Sequence, residues 1–205
     1  MTAQPRTEEL AIEAVRAEAE AVSFHPRGTV RCAGTPLFRS QLARDLGCLL
    51  DVDPEVEEWS CLPLVLRSGG RSHAPDFLVS GGQGTCLLDA AETAPEPWVE
   101  EVARREGFRY GWKSADEIRA GARLANARDL LRYARWHCPL GDRVRLLAAL
   151  DEHGSMTVAE CMRAFREAPP IAGLSSLILH RFVEIDLDDS RIGPETQVRR
   201  IHGHG

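Results

Sequence analysis

The stretch Arg71-Ser72-His73-Ala74-Pro75-Asp76-Phe77-Leu78-Val79 constrains the fold most, together with Thr85-Cys86-Leu87-Leu88-Asp89-Ala90-Ala91 beyond a glycine-rich loop at residues 80–84. Two apolar runs of strand length around such a loop predict a β-hairpin. The first run opens on an acid and the second ends on one, so pairing sets Asp76 and Asp89 side by side on adjacent strands. Two carboxylates held this way form a candidate site for a divalent cation such as Mg²⁺, which takes oxygen ligands.

The flanking sequence supplies what a sheet needs around it. Residues 7–22 are rich in helix formers with an alanine-dominated apolar face. Leu37, Phe38, Leu42, Leu46, Leu49 and Leu50 recur at helical spacing over residues 36–50, and Asp53-Pro54 closes that helix. A strand-rich region spans residues 56–66. Beyond the hairpin, Val99, Val102 and Ala103 share a helix face that Gly107 ends. Phe108 to Trp112 alternates as a strand does, and Ser114 with Glu117 has capping-box spacing. Helix, three strands, helix, strand is an α/β arrangement, a mixed sheet flanked by helices. Residues 124–137 then form an amphipathic helix stopped by Pro139. From Asp142 the pattern changes to helices over residues 143–150, 157–165 and 171–181, with a ribbon from residues 182–187 and 192–198. Three helices and a ribbon make a winged-helix pattern. The expected organisation is an N-terminal helix and loop (1–30), an α/β domain (31–121), a connecting helix (122–141), a winged helix (142–201) and a tail (202–205).

Composition limits the partners. The formal net charge of −6 argues against strong unaided binding to a polyanion. Of 25 basic residues all but Lys113 are arginines, so lysine chemistry has one candidate. Six cysteines lack metal-ligand spacing and read as reduced core thiols of a cytoplasmic protein. No stretch has the apolar length to span a membrane. The four tryptophans sit beside apolar positions and are expected to fill the core. Arg27, Arg31, Arg39, Arg44, Arg67 and Arg71 could share a basic face. His202 and His204 read as tail.

The order of elements and several strings resemble the TnsA family, endonuclease subunits of heteromeric transposases that cut at transposon ends. The similar stretches are residues 46–56, Pro75-Asp-Phe-Leu-Val, Ser114-Ala-Asp-Glu-Ile-Arg-Ala, Leu124-Ala-Asn-Ala-Arg-Asp-Leu-Leu-Arg-Tyr-Ala and the tail to Ile201, together covering roughly residues 36–201. The resemblance implies a restriction-endonuclease-like fold with a C-terminal winged helix, and a nuclease pattern written Pro-Asp…(Asp/Glu)-x-Lys. Asp76 and Asp89 match its two acids, as catalytic and metal-binding residues. The lysine position is Ala91. The family's helix glutamate, in a Glu-Ser-x-x-Glu-Arg-like string, falls on Arg39 or Ala43, neither acidic. A family Gln-Pro becomes Leu62-Pro63.

Those losses favour a catalytically degenerate nuclease fold acting in DNA transactions, with transposase or ATPase protein partners. Arg39 would bring a fixed positive charge toward the acids. The alternative is an active Mg²⁺-dependent endonuclease using Asp76 and Asp89 with an unconventional third group, for which Lys113, arriving from the neighbouring strand, is a relocated-base candidate. Glu92 could add an oxygen. In the winged helix, residues 171–181 offer few groups to bases, and Glu184, Asp186, Asp188 and Asp189 repel a duplex. This domain is therefore expected to contact protein, through Ser175, Ser176 and the acidic ribbon, rather than to act as a transcriptional regulator.

Overall fold

The computed structural model describes residues 4–201, with side chains from residue 10 onward. His202 and His204 lie outside the described residues. The chain is a mixed α/β protein with two compact units. Of the described residues, unit one takes in 4–27 and 31–119, and unit two 28–30 and 120–201. No helix among the described residues is long and apolar enough to cross a membrane.

The first unit begins with α1 (Gln4–Glu20) and α2 (Gln41–Val52). The latter starts five residues later than the leucine spacing predicts. Ser40 caps it by accepting the Ala43 N–H at 3.0 Å, so Leu37, Phe38 and Arg39 precede the helix. Next come β1 (Val56–Cys61), the small hairpin β2 (Leu66–Ser68) and β3 (Arg71–His73), then β4 (Phe77–Gly81) and β5 (Gly84–Ala91). Helix α3 (Pro97–Arg105) returns the chain to β6 (Arg109–Ser114), and α4 (Ala115–Arg119) closes the unit. The sheet order is β1-β4-β5-β6. The first three strands are antiparallel neighbours, and β6 joins β5 in parallel after the α3 crossover.

Strand alternation assigns the two faces. Leu87 points to one face, where it packs with Leu66, Val99, Val102 and Ala103, so α3 covers that side. Phe77, paired with Leu88, points to the other and meets Trp59 edge-on at 5.4 Å between centroids. Helix α2 lies over Trp59 at Gly47. A Cβ there would stand 3.5 Å from the indole and 3.0 Å from the Phe38 ring, so glycine permits the close approach.

In the second unit α5 (Arg123–Leu131) is shorter than the residues 124–137 expected. Beyond it the chain continues in tight turns, with Tyr133 N–H on the Leu130 carbonyl and Trp136 N–H on that of Tyr133. Trp136 is 44 % exposed, against the expectation that it fills the core. Helix α6 (Leu140–His153) ends at Gly154, whose φ of 75° suits glycine. A strand not read from the sequence follows, β7 (Ser155–Thr157). The Thr157/Glu160 capping box opens only a short α7 (Val158–Cys161), succeeded by a 3-10 turn at Met162–Ala164. Then come α8 (Pro170–Leu179), β8 (Val183–Ile185) and β9 (Gln197–Arg200), the last starting later than the residue 192 expected. The sheet is three-stranded, β7-β9-β8, and Leu146, Leu150, Cys161, Phe165, Leu174, Leu177, Val183 and Val198 form the core beside it. Residues 187–192 need no strand because buried Asn126 holds them. Its amide donates to the Leu187 and Ser190 carbonyls at 2.9 and 2.8 Å and accepts the Ile192 N–H at 3.0 Å.

Candidate functional site

The hairpin brings the two predicted acids together. Asp76 immediately precedes β4 and Asp89 lies in β5, one ladder step beyond the Phe77–Leu88 pair. Asp76 donates its N–H to Asp89 Oδ1 at 2.9 Å, and the Ala90 N–H donates to Asp76 Oδ2 at 3.0 Å. Both residues are buried, 5 % and 2 % exposed.

Three further side chains complete the cluster. Because Ser40 starts α2 where it does, Arg39 is left in the lead-in and reaches over the acids. Its Nε and Nη2 donate to Asp76 Oδ1 at 3.0 and 2.7 Å, and Nη2 lies 3.7 Å from Asp89 Oδ1. One nitrogen thus serves both carboxylates. His73, the last residue of β3, places Nε2 2.7 Å from Asp89 Oδ2, and the Tyr110 hydroxyl of β6 donates to that oxygen at 2.5 Å. All four carboxylate oxygens are engaged.

The environment separates the two acids electrostatically. Burial raises the Asp76 pKa, with Arg39 opposing the shift and the Asp89 charge adding to it. Burial pushes Asp89 the same way, but His73, Tyr110 and the Asp76 N–H outweigh it and hold that carboxyl below the ordinary value. Tyr110 is pushed well above the usual phenol range, first by burial and then by its bond to Asp89.

This arrangement does not fit Mg²⁺. The ion demands near-octahedral oxygen coordination. Here the carboxylate oxygens face N–H and O–H donors, and a guanidinium bridges them where a shared cation would sit. Among the described residues no group of three or more His, Cys, Asp or Glu is placed to hold a metal. Ala43, one of the two positions matching the family's helix glutamate, is 1 % exposed inside α2 and carries no carboxylate.

The other candidates stand elsewhere. Lys113 pairs with Ala90, and alternation sends its side chain to the face opposite Asp89. It is exposed and bonds Glu117 at 3.1 Å, so it does not join the cluster as a relocated base. Glu92 is an exposed residue beyond the end of β5. Four of the six arginines of the expected basic face, Arg39 among them, have partners within the chain. Arg44 is fully buried with Nε on the Pro26 carbonyl at 2.6 Å, Arg31 binds Asp51, and Arg71 pairs with Glu96 at 2.9 Å beside Trp98. His73 and Tyr110 escaped the sequence reading. Ser72-His73 beside the Pro-Asp pair was the available signal for the first. Nothing in the spacing marks Tyr110, which is brought in by a parallel pairing across α3.

In the second unit the surface expected to meet a partner divides: the acidic ribbon, Glu184, Asp186, Asp188 and Asp189, is exposed, and the two serines are not. Ser175 and Ser176 are 5 % and 3 % exposed, and the Ser176 hydroxyl accepts the Cys138 N–H at 3.2 Å. Asp186 accepts the N–H groups of Asp188 and Asp189 at 2.7 and 3.1 Å, and Asp188 pairs with Arg123 at 2.7 Å. No protein-family model matches this chain, and no curated protein matches it either.

Proposed function

We propose that this chain is a TnsA-like, nuclease-fold component of DNA transposition or a related DNA transaction, catalytically degenerate and acting through protein partners such as a transposase or an ATPase. The observation that carries the reading is Arg39. An internal cation sits on the two acids that a nuclease of this pattern would use for a metal, while the backbone that juxtaposes them is kept. The strand order β1-β4-β5-β6, with helices before the first strand and between the last two, supports a restriction-endonuclease-like core. The sequence of α6, α7 and α8 around β7-β9-β8 supports a winged helix. The missing helix carboxylate and lysine support loss of hydrolysis, since a positioned acid-base group contributes about 10²–10⁴ in rate.

One observation favours the second reading, an active Mg²⁺-dependent endonuclease. The Arg39 side chain is 37 % exposed, so a DNA phosphate could draw it off the acids. Incubating the purified protein with supercoiled plasmid and Mg²⁺ or Mn²⁺ separates the two. The degenerate reading expects no nicking above the level of Asp76→Ala. Robust nicking that Asp76→Ala abolishes would establish the enzyme instead.

A further inference from the structure

Within the first unit a cavity of about 410 Å³ opens between α1, the 33–37 turn and the end of β1, and Cys61 lines it together with Glu13, Arg16 and Glu20. Cys32 stands beside Cys61 for a topological reason. Residues 31–33 add one rung to the edge of β1, with Cys32 bridged in parallel to Trp59. The Ala33 N–H lies on the Trp59 carbonyl at 2.7 Å, and the Trp59 N–H on the Arg31 carbonyl at 3.0 Å. Cys61 is two residues beyond Trp59, hence on the same face of the strand. The two side chains thus lie on one face of neighbouring segments, close enough for the ionisation of each to depend on the other. The pair is separate from the Asp76 cluster, and nothing in the proposed function uses it.

We propose that Cys32 and Cys61 form a redox-active dithiol that takes hydrogen peroxide through this cavity and closes to a disulfide. The pair is asymmetric. Cys61 lines the cavity and Cys32 does not, so Cys61 is the thiol that meets the oxidant and Cys32 the one that resolves it. The Cys32 thiol beside it lowers the Cys61 pKa against the opposing effect of burial, and the same neighbour together with burial raises that of Cys32. In the first step the Cys61 thiolate attacks one peroxide oxygen. The O–O bond breaks, and the products are a Cys61 sulfenic acid and hydroxide, which takes up the proton that Cys61 released. In the second step the Cys32 sulfur attacks the sulfenic sulfur. The S–S bond forms, the S–O bond breaks, and the leaving oxygen departs as water with the Cys32 proton. Two thiols lose two electrons and one peroxide becomes two waters. The acids Glu13 and Glu20 on the cavity wall favour a small neutral oxidant over an anionic one such as glutathione disulfide. The bridge would fasten the 31–33 segment to β1. That strand end reaches the acid cluster through Leu62, whose N–H lies on the Asp76 carbonyl at 2.9 Å.

The reduced full-length protein is treated with hydrogen peroxide, its remaining thiols are alkylated, and each cysteine is followed by mass spectrometry. Cys32 and Cys61 should disappear together as one cross-linked peptide, on the order of tenfold faster than Cys86 and Cys138 react. Those two are more exposed than the buried Cys61, so exposure alone would make them react first, and burial shifts both upward. In Cys32→Ser the reaction should stop at a Cys61 sulfenic acid that dimedone captures. In Cys61→Ser, Cys32 should react no faster than Cys86. Earlier oxidation of Cys86 or Cys138, or loss of Cys32 and Cys61 without a cross-link, would overturn the proposal. So would glutathione disulfide closing the bridge faster than peroxide. If either serine variant fails to fold, the order of reaction in the unaltered protein decides by itself.

Discussion

Arg39 differs from a divalent ion at the same place in both charge and shape. A guanidinium spreads one positive charge over a planar set of N–H donors, each satisfying one oxygen along one direction. It can neutralise the pair and fix its geometry, but it has no open coordination position for a phosphate oxygen or an attacking water. Removing it leaves two buried carboxylates facing each other, at a cost of about 1–2 kcal/mol. This is less than for a fully buried pair, because the side chain is 37 % exposed. Arg39→Ala is therefore expected to melt at a lower temperature than the unaltered protein, and added Mn²⁺ should raise the melting temperature of the variant alone. An equal response of both proteins would show that the arginine is not what keeps a cation out. Asp76, Asp89 and the charge at position 39 were legible in the sequence because a hairpin's pairing follows from its glycine loop. His73 and Tyr110 were not, since one comes from a second small hairpin and the other across a helix crossover.

Among the elements, agreement between sequence and structure follows how local the determining interaction is. Both capping boxes formed, because each needs only residues three apart. Ser114 and Glu117 exchange bonds of 2.9 and 3.1 Å, and Thr157 and Glu160 bonds of 2.8 and 3.2 Å. The length of α5 and the existence of β7 depend on distant partners and were not read. The buried Asp142 in the first turn of α6 is of the second kind. It gathers the N–H groups of Arg166 and Ala168 at 2.8 Å each and of Glu167 at 3.1 Å, with Arg145 alongside. Burial opposes its charge, but these donors outweigh burial and lower its pKa from 3.8 to about 2. A carboxyl depressed on folding contributes stability that is complete above its unfolded pKa and is lost as pH falls through the folded one. The contribution is thus present above about pH 4 and disappears toward pH 2. Asp142→Asn should lower stability at neutral pH by about 2 kcal/mol and flatten the acid limb of a melting-temperature profile. An unchanged acid limb would remove Asp142 as its cause.

On the scale of the whole molecule, charge and topology matter most. A formal charge of −6, with Arg31, Arg39, Arg44, Arg71, Arg123 and Arg145 already engaged with partners inside the chain, works against a concentrated basic surface for phosphates. The full chain alone should therefore bind duplex DNA with a dissociation constant weaker than about 10⁻⁶ M at physiological salt. Filter binding across a salt series measures this, and tighter binding with a steep salt slope would assign the DNA contact to this chain rather than to a partner. The change of texture near residue 142 is not where the chain divides: the second unit starts at Ala120 and takes in residues 28–30, where a Cβ on Gly28 would stand 2.7 Å from the Ala134 Cβ. The order of strands in that unit also imposes a timetable. Its central strand, β9, is the last of the three to be synthesised, and β7 and β8 pair only with it. While the chain emerges from the ribosome, the first unit has all its strands once Ser114 is out. The second keeps two unpaired strand edges until residues 197–200 arrive, and over that interval of synthesis it is the part of the nascent protein most open to mispairing.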